Sequence, residues 1–353
     1  MARFRVKFVL LLVLCSLLVS LPTTENQENP TSMMVQHQNE DSQPHQCRFW
    51  GMSADHLPED VVLDHLINLP YSLKNLGASN NDGWGFAYYN DSEPHVLRGE
   101  PPANTDPNFD SAAHELAGSG ARIGVGHVRA AASGASGIPN PHPFIRYKGG
   151  KWWAFGHNGV LSKIMLKSLI GSEYLAENPP TVGDNWEDPD VIDSDLYMLY
   201  ILKCIEEKDW NIINGIAKAV TDISEADSGA MNFFLTDGEI LWGFRRGNTL
   251  YYYYNETFPQ YSAIASQPPT STQDAWTALY DYNLIILTED NLPYVIEDIR
   301  VQTQPVGGIS IPVNKLKLLA PYIRLTILLA VAVVTVCYVK KRRKIQRLSL
   351  KQQ

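Results

Sequence analysis

Cys47 opens the stretch CRFWGMSAD, and the polar chain in front of it has no hydrophobic pattern. A cysteine at that junction points to a nucleophile exposed by cutting the preceding peptide bond. An N-terminal cysteine brings its own base, because a free α-amine has a pKa of about 8 and is partly neutral at physiological pH. The amine can take the thiol proton and return it to a leaving group. An amide nitrogen cannot do this, so the chemistry requires a chain that begins at Cys47. A Cys47–Cys204 disulfide is the competing reading, and it would abolish the nucleophile. Cys204 lies in the apolar helical run LYMLYILKCI, which suits a buried small hydrophobe.

Four further stretches could serve such a nucleophile. In His157-Asn158-Gly159 a side-chain amide and a glycine N–H at a strand end could both face a developing oxyanion; alone, Asn-Gly is a turn. Arg129 ends the apolar strand of Gly126-His127-Val128-Arg129 and could clamp a carboxylate through two parallel hydrogen bonds, or sit in a structural ion pair. Asp193-Ser194-Asp195 opens a helix, where Asp193 could hold an ammonium group or cap the helix. Asp82-Gly83-Trp84-Gly85 makes a tight turn into a strand, with Trp84 as a pocket wall.

The order matters more than any member. CRFWGMS, NDGWGFAYY, GHVRAAASG, NPHPF, FGHNGVL, DSDLYML and SAIASQP follow one another from Cys47 to about Ile299. The set resembles the class II glutamine amidotransferases, a branch of the N-terminal nucleophile hydrolases, and is most similar to their stand-alone amidotransferase-like branch. The resemblance implies a four-layer αββα sandwich. It implies Cys47 as nucleophile, Asn158 and Gly159 as the oxyanion pair, Arg129 on the glutamine α-carboxylate and Asp193 on its α-amino group. Trp84 and His127 complete the expected substrate-binding set. The implied reaction is attack on a side-chain amide, loss of ammonia, a γ-glutamyl thioester and hydrolysis to glutamate. HVRAAAS stands where the family more usually has HTRWAT, and no acceptor domain is recognised. A hydrolase of glutamine or another γ-glutamyl amide is therefore expected rather than a biosynthetic amidotransferase. The alternatives are an N-terminal nucleophile hydrolase of another acyl amide and a non-catalytic surface binding domain with this fold.

The elements that must position these residues read as follows. Strands are expected over 47–52, 83–89, 95–98, 122–131 and 152–157, and repeatedly from Met231 onward. Helices are expected over 58–76, up to Leu169, over 193–206 and over 210–223, with Asp193 or Ser194 as an N-cap. Asp237-Gly238 and Gly247-Asn248 read as hairpin turns. Many strands with grouped helices indicate an α+β architecture of stacked, helix-covered sheets.

The ends of the 353-residue chain give the remaining expectations. Residues 1–21 read as a signal peptide, or a retained signal anchor, and 22–46 as a disordered pro-segment. The amidotransferase-like domain spans 47–304 and a linker 305–320. Residues 321–339 read as a transmembrane helix and 340–353 as a basic cytoplasmic tail. These readings predict a single-pass type I membrane protein with an extracytoplasmic catalytic domain. The net charge of -9 argues against nucleic acid as a partner. The expected partners are a small-molecule substrate, the membrane and, unless Cys47 frees itself, a processing protease. No cofactor is implied. His127, His142 and His157 lack the spacing of a zinc pair, so no metal is expected.

Overall fold

A computed structural model of the chain describes residues 46–303, except 91, 132–141, 272–274 and 290–291. The chain divides into two units, Met1–Gln43 and Pro44–Gln353, and every described residue belongs to the second.

Two antiparallel sheets form the core. The first has seven strands in the order β11-β9-β10-β1-β4-β2-β3. Its central strands are β1 (Arg48–Ala54), β4 (Ile123–Val128) and β10 (Tyr261–Ala265), flanked by β2 (Trp84–Tyr89), β3 (Pro94–Gly99), β9 (Tyr251–Asn255) and β11 (Thr277–Ala278). The second has six strands, β13-β12-β8-β7-β6-β5. These are β5 (Phe144–Lys148), β6 (Lys151–Gly159), β7 (Met231–Thr236), β8 (Ile240–Phe244), β12 (Leu284–Thr288) and β13 (Tyr294–Ile296).

Strand alternation assigns each residue to a layer. Phe49, Ile123, Val125 and Ile264 of the first sheet pack on Ala154, Phe234, Leu241 and Ile285 of the second. Gly51 lets the sheets close up, since a Cβ there would lie 2.8 Å from Leu241 and 3.4 Å from Val125. The alternate residues Trp50, Met52 and Phe86 face outward onto helical Val62, Leu66, Phe109 and Leu116. On the other side Phe155, Phe233 and Trp242 pack on α6 (Asp193–Glu207) and α7 (Ile212–Ala226) through Leu196, Leu199, Ile216 and Val220.

Several expectations are corrected. Residues 58–76 do not form one helix: α1 (Glu59–Leu63) runs into a π turn (Asp64–Asn68) and stops at Leu69, which is extended at ψ 157. Pro70 explains the stop, because its ring disfavours the helical conformation in the residue before it. A separate short helix, α2 (Leu73–Leu76), follows, and α3 (Pro107–Ala117), α4 (Lys163–Ile170) and α5 (Ser172–Glu177) precede α6. Gly247-Asn248 is not a hairpin, because β8 and β9 belong to different sheets and this loop crosses between them. Asp237-Gly238 does join paired strands, with Gly238 at φ +86. The N-cap of α6 is Ile192 rather than Asp193 or Ser194.

The expected transmembrane helix, and with it the type I membrane placement and the membrane partner, is also corrected. Among the described residues no helix is long and apolar enough to cross a membrane. The longest, α6 and α7, have 15 residues each. At 1.5 Å per residue such a helix spans about 22 Å, short of a hydrocarbon core of about 30 Å. Residues 1–45 and 304–353, which carry the expected leader, most of the pro-segment, the linker, the apolar run and the tail, lie outside the described residues.

Candidate active site

The chain enters the fold at the centre of the first sheet, and that entry places Cys47. Ser266 fixes the start of β1: its Oγ accepts from Phe49 N at 3.1 Å and its N–H donates to Phe49 O at 2.9 Å. Cys47 shares the parity of Phe49 and Gly51, so its side chain lies on the face toward the second sheet. Arg48 pairs with Val128 of β4, and one further step sets Cys47 opposite Arg129. Ala130 N–H donates to Cys47 Sγ at 3.4 Å, and the thiol faces Ala130 O at 3.5 Å. Burial pushes the thiol up to about 11; the Ala130 contact and the Arg129 charge pull it down, and Asp193 pushes it up. Arg48 Nη1 donates to Gln46 O at 2.8 Å and to Cys47 O at 3.2 Å, so the carbonyl of the expected cleavage bond and the one after it rest on one guanidinium.

Arg129 is 2% exposed. Its backbone is fixed by Gly83 O at 2.9 Å and Asp82 N at 3.0 Å, which tie the end of β4 to the turn before β2. Burial lowers the Arg129 pKa, against the fields of Cys47, Asp82 and Asp193 that raise it. Asp193 is 4% exposed and begins α6, where its Oδ2 accepts from Leu161 N at 2.8 Å. A buried cation at the end of β4 and a buried carboxylate at the start of α6 thus both act on the thiol. Asn158 lies near the end of β6 with the parity of Ala154, which also turns it to the space between the sheets. Gly159 is required by close approach, because a Cβ there would lie 1.9 Å from Ala230 O.

The sequence model of the glutamine amidotransferases class-II matches residues 46–291. The chain belongs to this family. An uncharacterized protein of Methanocaldococcus jannaschii is 27% identical over 192 residues, 52% of this chain and 49% of that one. A Haemophilus influenzae protein is 26% identical over 202 residues, 55% of this chain and 60% of that one. The chain thus spans about half the length of the curated relatives it matches. Among solved structures, the allosteric regulatory enzyme of purine biosynthesis covers 71% of this chain over 49% of its own, at TM-score 0.51 and 16% identity. At that identity the likeness concerns the fold alone. The family establishes an enzyme of the N-terminal-nucleophile type.

The remaining residues of the candidate site have simpler places. His127 Nε2 meets His157 O at 3.2 Å, and a carbonyl only accepts, so Nε2 carries the proton and ties the two sheets together. His157 Nε2 likewise donates to Ala230 O at 3.2 Å, which leaves Nδ1 to accept from Ser194 Oγ at 3.1 Å. Burial keeps both rings neutral, holding His127 down at about 3. The His142 ring lies against that of His127, with centroids 4.2 Å apart and planes tilted by 36°. Trp84 is not brought to the site. Its ring packs on Phe109 in the helix-facing core and its Nε1 donates to Asp106 Oδ2 at 2.9 Å. Among the described residues no three His, Cys, Asp or Glu side chains are grouped to hold a metal. Cys47 and Cys204 are both free, which excludes the disulfide. A cavity of about 380 Å³ lies elsewhere, between Val96 and Arg98 of β3 and Phe144 and Trp152 of the second sheet. Sequence reasoning missed Ser266, Asn232 and Asn248. Asn232, a fully buried amide in the apolar strand MNFFLT, was the visible signal.

Proposed function

We propose that this domain hydrolyses the side-chain amide of glutamine or of another γ-glutamyl compound. The observation that carries the reading is the convergence on Cys47: its Sγ lies on the Ala130 backbone, in the fields of Arg129 and Asp193. A buried guanidinium at the end of the first sheet's β4 and a buried carboxylate at the start of the helix covering the second sheet match the two charges of an amino-acid head group. That pairing favours an amino-acid substrate over a simple acyl amide.

In this mechanism the free α-amine of Cys47 takes the thiol proton, since the buried thiol does not ionise alone near neutral pH. The thiolate attacks the amide carbon, and the oxyanion is met by Asn158 Nδ2 and the Gly159 N–H. The α-ammonium then protonates the leaving nitrogen, ammonia departs and a thioester remains. Water, deprotonated by the same amine, adds to the thioester carbon, the C–S bond breaks to release the acid, and the Cys47 thiolate takes the proton back from the ammonium. Arg129 and Asp193 hold the carboxylate and the ammonium of the substrate, and His127 and His157 stay neutral as supports. The test is ammonia release from glutamine by the enzyme that begins at Cys47. Activity is expected in the native enzyme and loss of at least about a thousandfold in Cys47→Ser, the scale of removing a nucleophile. Turnover of simple acyl amides without turnover of glutamine would contradict the reading.

A further inference from the structure

We propose that Asn248, held by Asn232, is a positioning residue that sets which end of the Asn158 carboxamide is available to the reacting carbonyl. The inference rests on the reading of Asn158 as oxyanion donor and adds the device that makes it a donor. A carboxamide has two nearly isosteric ends, and only its NH₂ end can stabilise an oxyanion. Something must therefore fix the flip.

The fixing starts from backbone groups, whose polarity cannot change. Asn232 is 0% exposed and lies opposite Asn158 in the β6–β7 register. Its Oδ1 accepts from Arg246 N at 3.0 Å and Asn248 N at 3.2 Å. Its Nδ2 donates to Asn248 O at 2.8 Å and Thr249 O at 3.2 Å. All four bonds go to the loop that crosses from β8 to β9, and reversing the amide would oppose every one. Arg245 Nε adds a donor to Asn248 O at 2.9 Å.

The loop so held presents the Asn248 side chain to β6. Asn248 Nδ2 donates to the backbone Asn158 O at 3.0 Å, an obligate acceptor, so the NH₂ end of Asn248 is fixed too. The same Nδ2 donates to Asn158 Oδ1 at 3.0 Å. Asn158 Oδ1 is thereby engaged, and its Nδ2 is turned to the opposite side. Among the described residues, no side chain or backbone group accepts from that nitrogen. Amide polarity is thus passed from the backbone of the crossing loop, through Asn248, to the expected oxyanion donor.

The test is a double-mutant cycle on glutamine hydrolysis by the processed enzyme, with kcat and KM measured separately. Asn158→Ala should lower kcat about a hundredfold, the usual worth of one oxyanion donor, with KM nearly unchanged. Asn248→Asp sets an acceptor against Asn158 and favours the reversed amide, so it should give a kcat loss of similar size. Asn248→Ala removes the lock without adding charge and should cost roughly two- to tenfold, the worth of one hydrogen bond. In the Asn158→Ala background neither Asn248 change should lower kcat further. Denaturant midpoints check folding, and Asn248→Ala decides the matter if Asn248→Asp does not fold. If Asn158→Ala lowers kcat while the Asn248 variants do not, or if the losses multiply, the positioning role is overturned and the oxyanion reading stands. If Asn158→Ala leaves kcat intact, both fall together.

Discussion

The Cys47 thiol is a poor nucleophile until it has a proton acceptor. Its pKa is pushed up to about 11, because burial outweighs the Ala130 N–H and the Arg129 charge. A raised thiol pKa favours the protonated form, so with Gln46 still attached the thiolate should be scarce at pH 9 and reach one half only near pH 11. Alkylation of the uncleaved chain by iodoacetamide should therefore keep accelerating across that interval. In the processed enzyme the rate should rise near pH 8, where the α-amine loses its proton. A plateau below pH 9 in the uncleaved chain would contradict this electrostatic picture. The residue types of the candidate site are legible in the sequence, because GHVR, HNG and DSD each combine a strand end or helix start with a charge or amide. Trp84 faces the helix-covered core rather than a pocket, because a tryptophan in a strand reads alike on either face until the partner layers are known. Asn248 was illegible, since Gly247-Asn248 is an ordinary turn pair whose side-chain bonds depend on a strand sixteen residues earlier, through Asn232.

At the scale of elements, strand ends do the positioning. β1, β4 and β6 deliver Cys47, Arg129 and Asn158 because each carries a residue of inward parity at its terminus. Gly159 lets β6 end against Ala230, so Gly159→Ala should destabilise the fold by about 1–3 kcal/mol through overpacking. It should also lower activity by displacing Asn158. Denaturant unfolding checks the first effect, and an unchanged midpoint would mean that Ala230 yields without cost. Alternation and turn chemistry made most strands and the helix pair over 193–223 readable. Apolar patterning did not mark the helix Pro107–Ala117, although Asp106 caps it with 2.9 Å to Asn108 N and Pro107 opens it. The hairpin reading at Gly247-Asn248 failed because a turn signal says that the chain reverses, not which sheet takes the next strand.

For the whole molecule, the two stacked sheets with helices outside explain why a site can be built from distant segments. Cys47, Arg129 and the strand end at Ser266 come from the first sheet; Asn158 and Asp193 come from the second sheet and its covering helix. His127 Nε2 to His157 O joins the two halves at this point. The layered arrangement followed from the resemblance and from strand counting. The membrane reading is corrected only as far as the described residues go: none of their helices is long and apolar enough to cross a membrane, and the apolar run over 321–339 lies outside them. The proposed mechanism requires a working enzyme that begins at Cys47. The most direct test is the N-terminal residue of the active protein from its native source, by terminal sequencing alongside glutamine hydrolysis. A terminus at Cys47 in the active fraction is predicted. Full activity in a uniform fraction that retains Gln46 would contradict the claim, because Cys47 would then lack the amine that takes its proton.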